Sequence, residues 1–381
     1  MAAQRRLAAR PDVAFAELDW FQTPQSFPND PQYTNQWYHA VLGSRQAWSL
    51  SQGQPFIRIA MVDAPFQMNH PDLADHVAAG WDADQNVAVT NSSGTDHSTL
   101  GAGLAAAVIN NGLGVAGMGN CTILPINING SISEMYDAVI WAADHGVRVV
   151  NISWTGGDSD TLNAAGAYLK ATARGILIMA GGNADAAPYT TNEPDIYCIA
   201  MTDAADNMRS LAGPQVDFAA PGWNIFSTTT GGGYGFASGT SYAAPVFAGV
   251  VAVLLSINPT LGPDDVVEIL KATAHQPNGW PAGQWNPFYG WGRIDFAAAA
   301  AAAQATLPFI TGLTLTHQQA HITANYRPGS TYTLWRSATL TGKSWSPVTN
   351  AMVMIYDNAI SFVDPSPAAL CGFYRIEAVA P

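Results

Sequence analysis

Ile57-Arg58-Ile59-Ala60-Met61-Val62, followed at once by Asp63, is the stretch whose reading decides the fold. Apart from Arg58 the run is apolar, the pattern of a short strand buried on both faces, and it ends on an acid. Working outward, similar runs recur at Ile123-Leu124-Pro125-Ile126, Val147-Arg148-Val149-Val150-Asn151-Ile152, Gly175-Ile176-Leu177-Ile178-Met179 and Ile196-Tyr197-Cys198-Ile199-Ala200. Helical stretches are predicted between them, near 97–108, 131–145 and 160–174. Apolar strands alternating with helices predict an α/β fold, a mostly parallel sheet flanked by helices. A longer helix is expected to start beside Thr240-Ser241, run through Leu255 and stop before Pro259. Another opens at Pro263-Asp264-Asp265, with proline and acids at its start. A last one covers 297–303, and Pro308 marks its exit. No repeat of solenoid type is present.

After Pro308 the pattern changes to period two. Tyr332-Thr333-Leu334-Trp335-Arg336, Ile360-Ser361-Phe362-Val363 and Phe373-Tyr374-Arg375-Ile376-Glu377 are separated by Gly, Pro, Asn and Asp. That predicts a small all-β C-terminal domain of sandwich type. At the other end, Val13-Ala14-Phe15-Ala16-Glu17-Leu18-Asp19 alternates as a strand would. The expected division is an N-terminal extension at 1–22, a main α/β domain at 23–307 and an accessory domain at 308–381.

The 381 residues are long enough to bury a large core. Hydrophobic residues make up 48% and charged ones only 11%, which excludes a disordered or coiled-coil chain. A net charge of −13 argues against a nucleic-acid partner, because phosphate backbones are bound by Lys and Arg. No membrane is expected either. The longest uncharged apolar run, 246–257, is shorter than the ~20 residues of a spanning helix. The N-terminal Met1-Ala2-Ala3-Gln4-Arg5-Arg6 has basic residues with no apolar segment after them, so it does not read as a signal peptide. Cys121, Cys198 and Cys371 match no metal or redox spacing and read as small core residues. A Cys121–Cys198 bridge stays open at this level.

Acyl transfer by a serine needs a hydroxyl at an exposed turn, a histidine to take its proton and a carboxylate to orient that histidine. It also needs donors aimed at the developing oxyanion. In an α/β sheet such groups gather at the carboxyl ends of the strands. Asp63 sits at the end of the first core strand, His97 at the head of an Ala/Gly-rich helix, and Ser241 in a turn opening a buried helix. No GxSxG elbow is present and the histidine precedes the serine, which excludes the lipase and esterase order.

Four segments resemble the subtilisin-like (subtilase) serine proteases in order. Val62-Asp63-Ala64-Pro65 with His70-Pro71-Asp72-Leu73 resembles the aspartate segment, and Asp96-His97-Ser98-Thr99-Leu100-Gly101-Ala102-Gly103 the histidine segment. Ala180-Gly181-Gly182-Asn183 resembles the oxyanion segment, and Gly239-Thr240-Ser241-Tyr242-Ala243-Ala244-Pro245 the serine segment. Two departures stand out. Ala64-Pro65 replaces a small hydroxyl residue and Gly, and Ser98 and Gly101 stand where Gly and Val are usual.

The resemblance implies a serine endopeptidase with Asp63, His97 and Ser241 as triad and Asn183 with the Ser241 N–H as oxyanion donors. It implies that Ser153, Trp154 and Thr155 line an extended polypeptide substrate, joined by Gly182 and Thr240. Asn192-Glu193 would border a pocket for a basic side chain. Gly112-Leu113-Gly114-Val115-Ala116-Gly117 is formally a dinucleotide fingerprint, but it follows a helix and leads into a strand, the reverse of what that motif needs. It is similar instead to the family's Ca²⁺ loop. That implies Asn111 as a side-chain ligand, carbonyls from Ile109, Leu113 and Val115, and carboxylates from Asp72 and, as in the thermitase branch, Asp30. Residues 1–20 resemble the last strand of a propeptide, which acts as chaperone and inhibitor. Secretion and a monomeric state are the family's expectation.

Overall fold

The structure is a computed structural model that describes residues 27–90, 93–307, 310–316, 319–326, 331–338, 345–356, 359–367 and 373–379. The propeptide-like segment, its expected strand and Cys371 lie outside the described residues. The chain forms two compact units, the larger closing at Ala305 and the smaller opening at Thr306.

The larger unit is built on an eight-stranded sheet. Its strands are β1 (Arg58–Asp63), β2 (Gly80–Asp82), β3 (Val87–Val89), β4 (Thr122–Asn127), β5 (Val149–Ile152), β6 (Ile176–Ala180), β7 (Tyr197–Thr202) and β8 (Val216–Pro221). Their order is β3-β2-β4-β1-β5-β6-β7-β8. Every pairing is parallel except β2 with β3. Helices α1 (Trp37–Leu42), α2 (Ser44–Trp48), α3 (Asp96–Ala106), α4 (Ile132–Asp144), α5 (Asp160–Ala173), α6 (Thr240–Ile257), α7 (Pro263–Thr273) and α8 (Phe296–Ala305) surround it. One face of the sheet packs on α4 and α5 through Met135, Val139, Leu162 and Leu169. The other packs on α3 and α6 through Leu104, Phe247 and Leu254, and α7 and α8 join the same core behind α6 through Val266 and Phe296. Both faces are therefore covered, which is why the central strands read as unbroken apolar runs.

Local signals set the helix starts. Thr95 caps α3 by accepting the Ser98 N–H. Ser131 and Glu134 close a capping box on α4, and Ser159 caps α5. Gly103 marks the closest approach of α3 to β9 (Ile225–Thr229), which pairs antiparallel with β10 (Gly233–Ala237). A Cβ at Gly103 would stand 2.2 Å from Thr228 Oγ1. The contact is fixed by Thr228 Oγ1 donating to the Thr99 carbonyl at 2.7 Å.

Helix α6 corrects one expectation. At 18 residues, starting at Thr240 as expected, the helix is long and apolar enough to cross a membrane, although the uncharged apolar run read from sequence, 246–257, is shorter. Its apolarity has another cause: 83% of it is buried against the sheet and α3. The two described cysteines are free. Cys121 belongs to the core on one face of the sheet and Cys198 to the core on the other, so the sheet itself separates them.

In the smaller unit, β11 (Ile310–Thr316), β12 (Gln319–Asn325), β15 (Met352–Tyr356) and β16 (Ala359–Asp364) form a sheet of order β11-β12-β16-β15. A second sheet holds β13 (Thr331–Ser337) between β14 (Ser346–Pro347) and β17 (Phe373–Val379). Ile322 and Phe362 from the first sheet share one core with Leu334 and Ile376 from the second, the sandwich the period-two pattern predicts.

Candidate active site

The sheet brings Asp63 to the carboxyl end of β1. There its carbonyl accepts the Ile128 N–H from beyond β4 at 3.0 Å, while the Val62 carbonyl accepts the Ser153 N–H from beyond β5. The carboxylate is buried. His97 is the second residue of α3, and its Nδ1 lies 3.2 Å from Asp63 Oδ1 and 3.0 Å from Oδ2. The imidazole keeps 41% of its side-chain surface open, so it faces a cleft while its partner stays inside. The hydrogen bond to Asp63 raises His97 above its ordinary imidazole value, against the lowering effect of burial.

The loop after β1 clamps the head of α3, and there the two departures meet. The Pro65 carbonyl accepts both the Thr95 N–H, at 2.8 Å, and the Ser98 hydroxyl, at 2.6 Å. Asp96, beside His97, accepts the Thr230 N–H at 2.8 Å and the Thr230 hydroxyl, and these bonds hold its carboxyl below the usual range.

Ser241 is the second residue of α6. The Tyr242 ring beside it lies 5.3 Å from the His97 ring, which sets the turn of Ser241 next to the histidine. No hydrogen bond joins Ser241 Oγ to His97 among the described residues. Such bonds tighten in the substrate complex and are commonly loose before it. Pro245 removes the N–H that would close on the Ser241 carbonyl, so the first turn is held from outside. Gly239 does this, its carbonyl accepting the Tyr242 and Ala243 amides.

Asn183 lies on the loop after β6, reached through Gly182 at φ +95°, where a side chain would be strained. Asn183 Oδ1 accepts the Thr240 N–H at 3.0 Å and the Thr240 hydroxyl at 3.2 Å. That double bond fixes the amide and turns its NH₂ away from Thr240. The Ser241 N–H, in the first turn of α6, has no acceptor among the described residues, as is usual for helix-initial amides.

The loop after β5 carries the expected substrate-binding residues, and they separate. Ser153 is buried, its hydroxyl accepting from Asn151 Nδ2 at 2.9 Å. Thr155 is exposed and lines a cavity of about 230 Å³ with Gly156, Asp158, Ala186, Pro188 and Tyr189. Trp154 lies half-buried between them, its ring over Gly130 and its Nε1 donating to Asp63 Oδ1 at 3.3 Å. Glu193 stands apart from that cavity, accepting the Thr191 hydroxyl at 3.1 Å; the carboxylate on the cavity wall is Asp158. Asp158 and Tyr189 carry no motif that sequence reading could use.

Away from the cleft, loop 109–115 meets Asp30 and Asp72. Asp72 accepts the Val115 N–H at 2.8 Å and Asn111 Nδ2 at 2.7 Å. Asn111 Oδ1 is taken by the Leu113 N–H at 2.8 Å. The Asp30 carboxylate accepts the Asn110 N–H at 3.0 Å through Oδ2. Its Oδ1 is buried with no hydrogen-bond partner among the described residues. Burial raises both carboxyls, and Asp30 is pushed further by the charge of Asp72. Tyr234 from β10, which the sequence did not mark, also bonds Asp72.

Comparison with known proteins agrees with this geometry. Residues 56–292 match the subtilase family model. Thermitase from Thermoactinomyces vulgaris is 34% identical over 279 residues, covering 68% of this chain and 98% of that protein. A halolysin-like extracellular serine protease from Natrialba magadii is 31% identical over 308 residues, covering 77% of this chain but only 56% of the relative's length. Among solved structures, a protease from Pseudoalteromonas arctica superimposes with a TM-score of 0.61 at 26% identity, covering 73% of this chain and all of the other. This chain belongs to the subtilase family.

Proposed function

We propose that the chain is a serine endopeptidase that cleaves polypeptides through Asp63, His97 and Ser241. The observation that carries this reading is the buried Asp63 carboxylate 3.0 Å from the Nδ1 of a partly open His97. His97 Nε2 takes the Ser241 proton as Oγ bonds to the peptide carbonyl carbon. The carbonyl oxygen gains the charge, and Asn183 Nδ2 with the Ser241 N–H stabilises it, helped by the positive end of α6. The tetrahedral species collapses, the C–N bond breaks and His97 hands its proton to the leaving amine. Water then repeats the sequence on the acyl-enzyme, releasing the acid and restoring Ser241.

The acyl-side residue would enter the cavity beside Thr155, with the backbone of 153–155 pairing along the substrate strand. Asp158 on that wall favours a basic side chain there. Peptide substrates, a cleaved propeptide, a monomeric state and secretion all follow from the family and belong to this proposal. A second reading is a binding protein that presents the same groove without chemistry. Incubation with a sulfonyl fluoride separates the two: the peptidase is expected to be labelled at Ser241 and a binder left unmodified, as read by peptide mass spectrometry.

The Asp30–Asp72 cluster fits a hard cation. Two buried carboxylates repel each other, one carboxylate oxygen lacks a partner, and oxygen-only donors suit Ca²⁺. Asp30 and Asp72 would hold it, with the Asn111 side chain once its amide turns, and with the Ile109, Leu113 and Val115 carbonyls. Its chemistry would be structural, tying 29–33 to the loop after α3. A chelator is expected to lower the melting temperature by about 5 °C or more, restored by Ca²⁺ and not by Mg²⁺. A melting curve indifferent to both would remove the ion from this account.

A further inference from the structure

We propose that Trp154 is a positioning residue for the triad, its indole N–H holding the Asp63 carboxylate in the plane that serves His97. This rests on the peptidase reading and goes beyond the resemblance, which makes Trp154 a wall of the substrate groove. The two carboxylate oxygens of Asp63 have unequal surroundings. Oδ1 accepts the Ala64 N–H at 2.7 Å, Trp154 Nε1 at 3.3 Å and His97 Nδ1 at 3.2 Å. Oδ2 lies 3.0 Å from His97 Nδ1 but is buried with no hydrogen bond among the described residues. Two donors besides the histidine fix the plane of the carboxylate; a single backbone donor leaves rotation about χ2, which is broad for aspartate.

Residue 64 offers no side-chain help. It is alanine, and the next residue is proline with no N–H, so the indole supplies the only side-chain donor to Asp63 besides the histidine among the described residues. The indole is held in turn. Its ring packs over Gly130, where φ is +103° and a Cβ would stand 2.3 Å from the ring. The backbone of Trp154 belongs to the loop after β5 on which extended substrate is proposed to pair. Substrate seated on that loop therefore bears on the same residue that orients the carboxylate, and the indole links occupancy of the groove to readiness of the triad.

Trp154→Phe keeps a ring over Gly130 and removes the donor. It is expected to lower kcat about 10-fold, within the range for a hydrogen bond to a charged group, with KM changed less than 2-fold. The acid limb of kcat/KM should move to lower pH, because the Asp63 bond that raises His97 is weakened. In an Asp63→Asn background the same substitution should cost less than 2-fold, since the carboxylate it serves is gone. A loss confined to KM, an unmoved or upward-shifted acid limb, or an equal loss in the Asp63→Asn background would each overturn the proposal and leave Trp154 as groove wall. A melting temperature for each variant separates misfolding from lost positioning. An unmodified chain that neither cleaves casein nor is labelled at Ser241 would instead sink the peptidase reading, a different result from equal rates in chain and variant.

Discussion

Ser241→Ala is expected to lower turnover by about 10⁶-fold, the magnitude established for the same change in subtilisin rather than one calculated from this structure. The local geometry says why the effect is purely chemical. The hydroxyl makes no hydrogen bond among the described residues, and the turn is held by Gly239 and by the bonds from Thr240 to Asn183. Removing Oγ leaves that frame in place, with the oxyanion donors and the groove. The variant should therefore fold with an unchanged melting temperature and bind peptide with an unchanged affinity. Titration of a peptide substrate against the variant, with hydrolysis followed by mass spectrometry, checks both halves. Turnover within 10-fold of the unmodified chain would mean that some other group is the nucleophile.

Asp63→Asn should cost about 10⁴-fold in kcat, the scale known for this substitution in serine proteases of another fold. Here the direction follows from the donors around the carboxylate. Two N–H groups, from Ala64 and Trp154, converge on Oδ1, so an asparagine must place its carbonyl oxygen there. Its NH₂ then occupies the position of Oδ2 and points at His97 Nδ1. The imidazole is forced to accept at Nδ1 and carry its proton on Nε2, the tautomer that cannot take the Ser241 proton. The hydrogen bond His97 donates to Asp63 is the largest influence raising His97, and burial opposes it. With the carboxylate gone, the group titrates lower, so the acid limb of the remaining activity should shift to lower pH. A pH–rate profile on the purified variant reads this directly, and an upward shift would contradict the assignment of Asp63.

Much of the sheet was legible because strands buried on both faces must be apolar throughout. β1, β4, β5, β6 and β7 each fall on a run named from sequence, and α3 to α8 start within a residue or so of the expected places. The missed strands lacked an unbroken apolar run. β8 is buried throughout yet carries Asp217 as its second residue, a carboxyl pushed up to about 7 by burial and bonded by the Cys198 N–H. β9 and β10 are rich in Thr and Gly, and β2 and β3 have three residues each. In the smaller unit β15 is exposed along its whole length, so no alternation marked it.

The proposed triad residues were legible because each sits in a fixed neighbourhood along the chain: an acid ending a strand, a histidine opening a small-residue helix, a serine in a Gly-Thr-Ser turn. Chain connectivity carries those constraints. What joins residues distant in sequence was decided only by folding. The indole of Trp154 reaches Asp63 across 91 positions, and the Thr240 amide reaches Asn183 across 57. Asp158 meets Tyr189 on one cavity wall. A hydrogen bond depends on the rotamers and separations of two side chains, which sheet order and packing set and which local sequence does not contain. The sequence by itself therefore determined the family, most of the central sheet and which groups are proposed to react, while the tertiary structure decided which neighbours hold those groups in place.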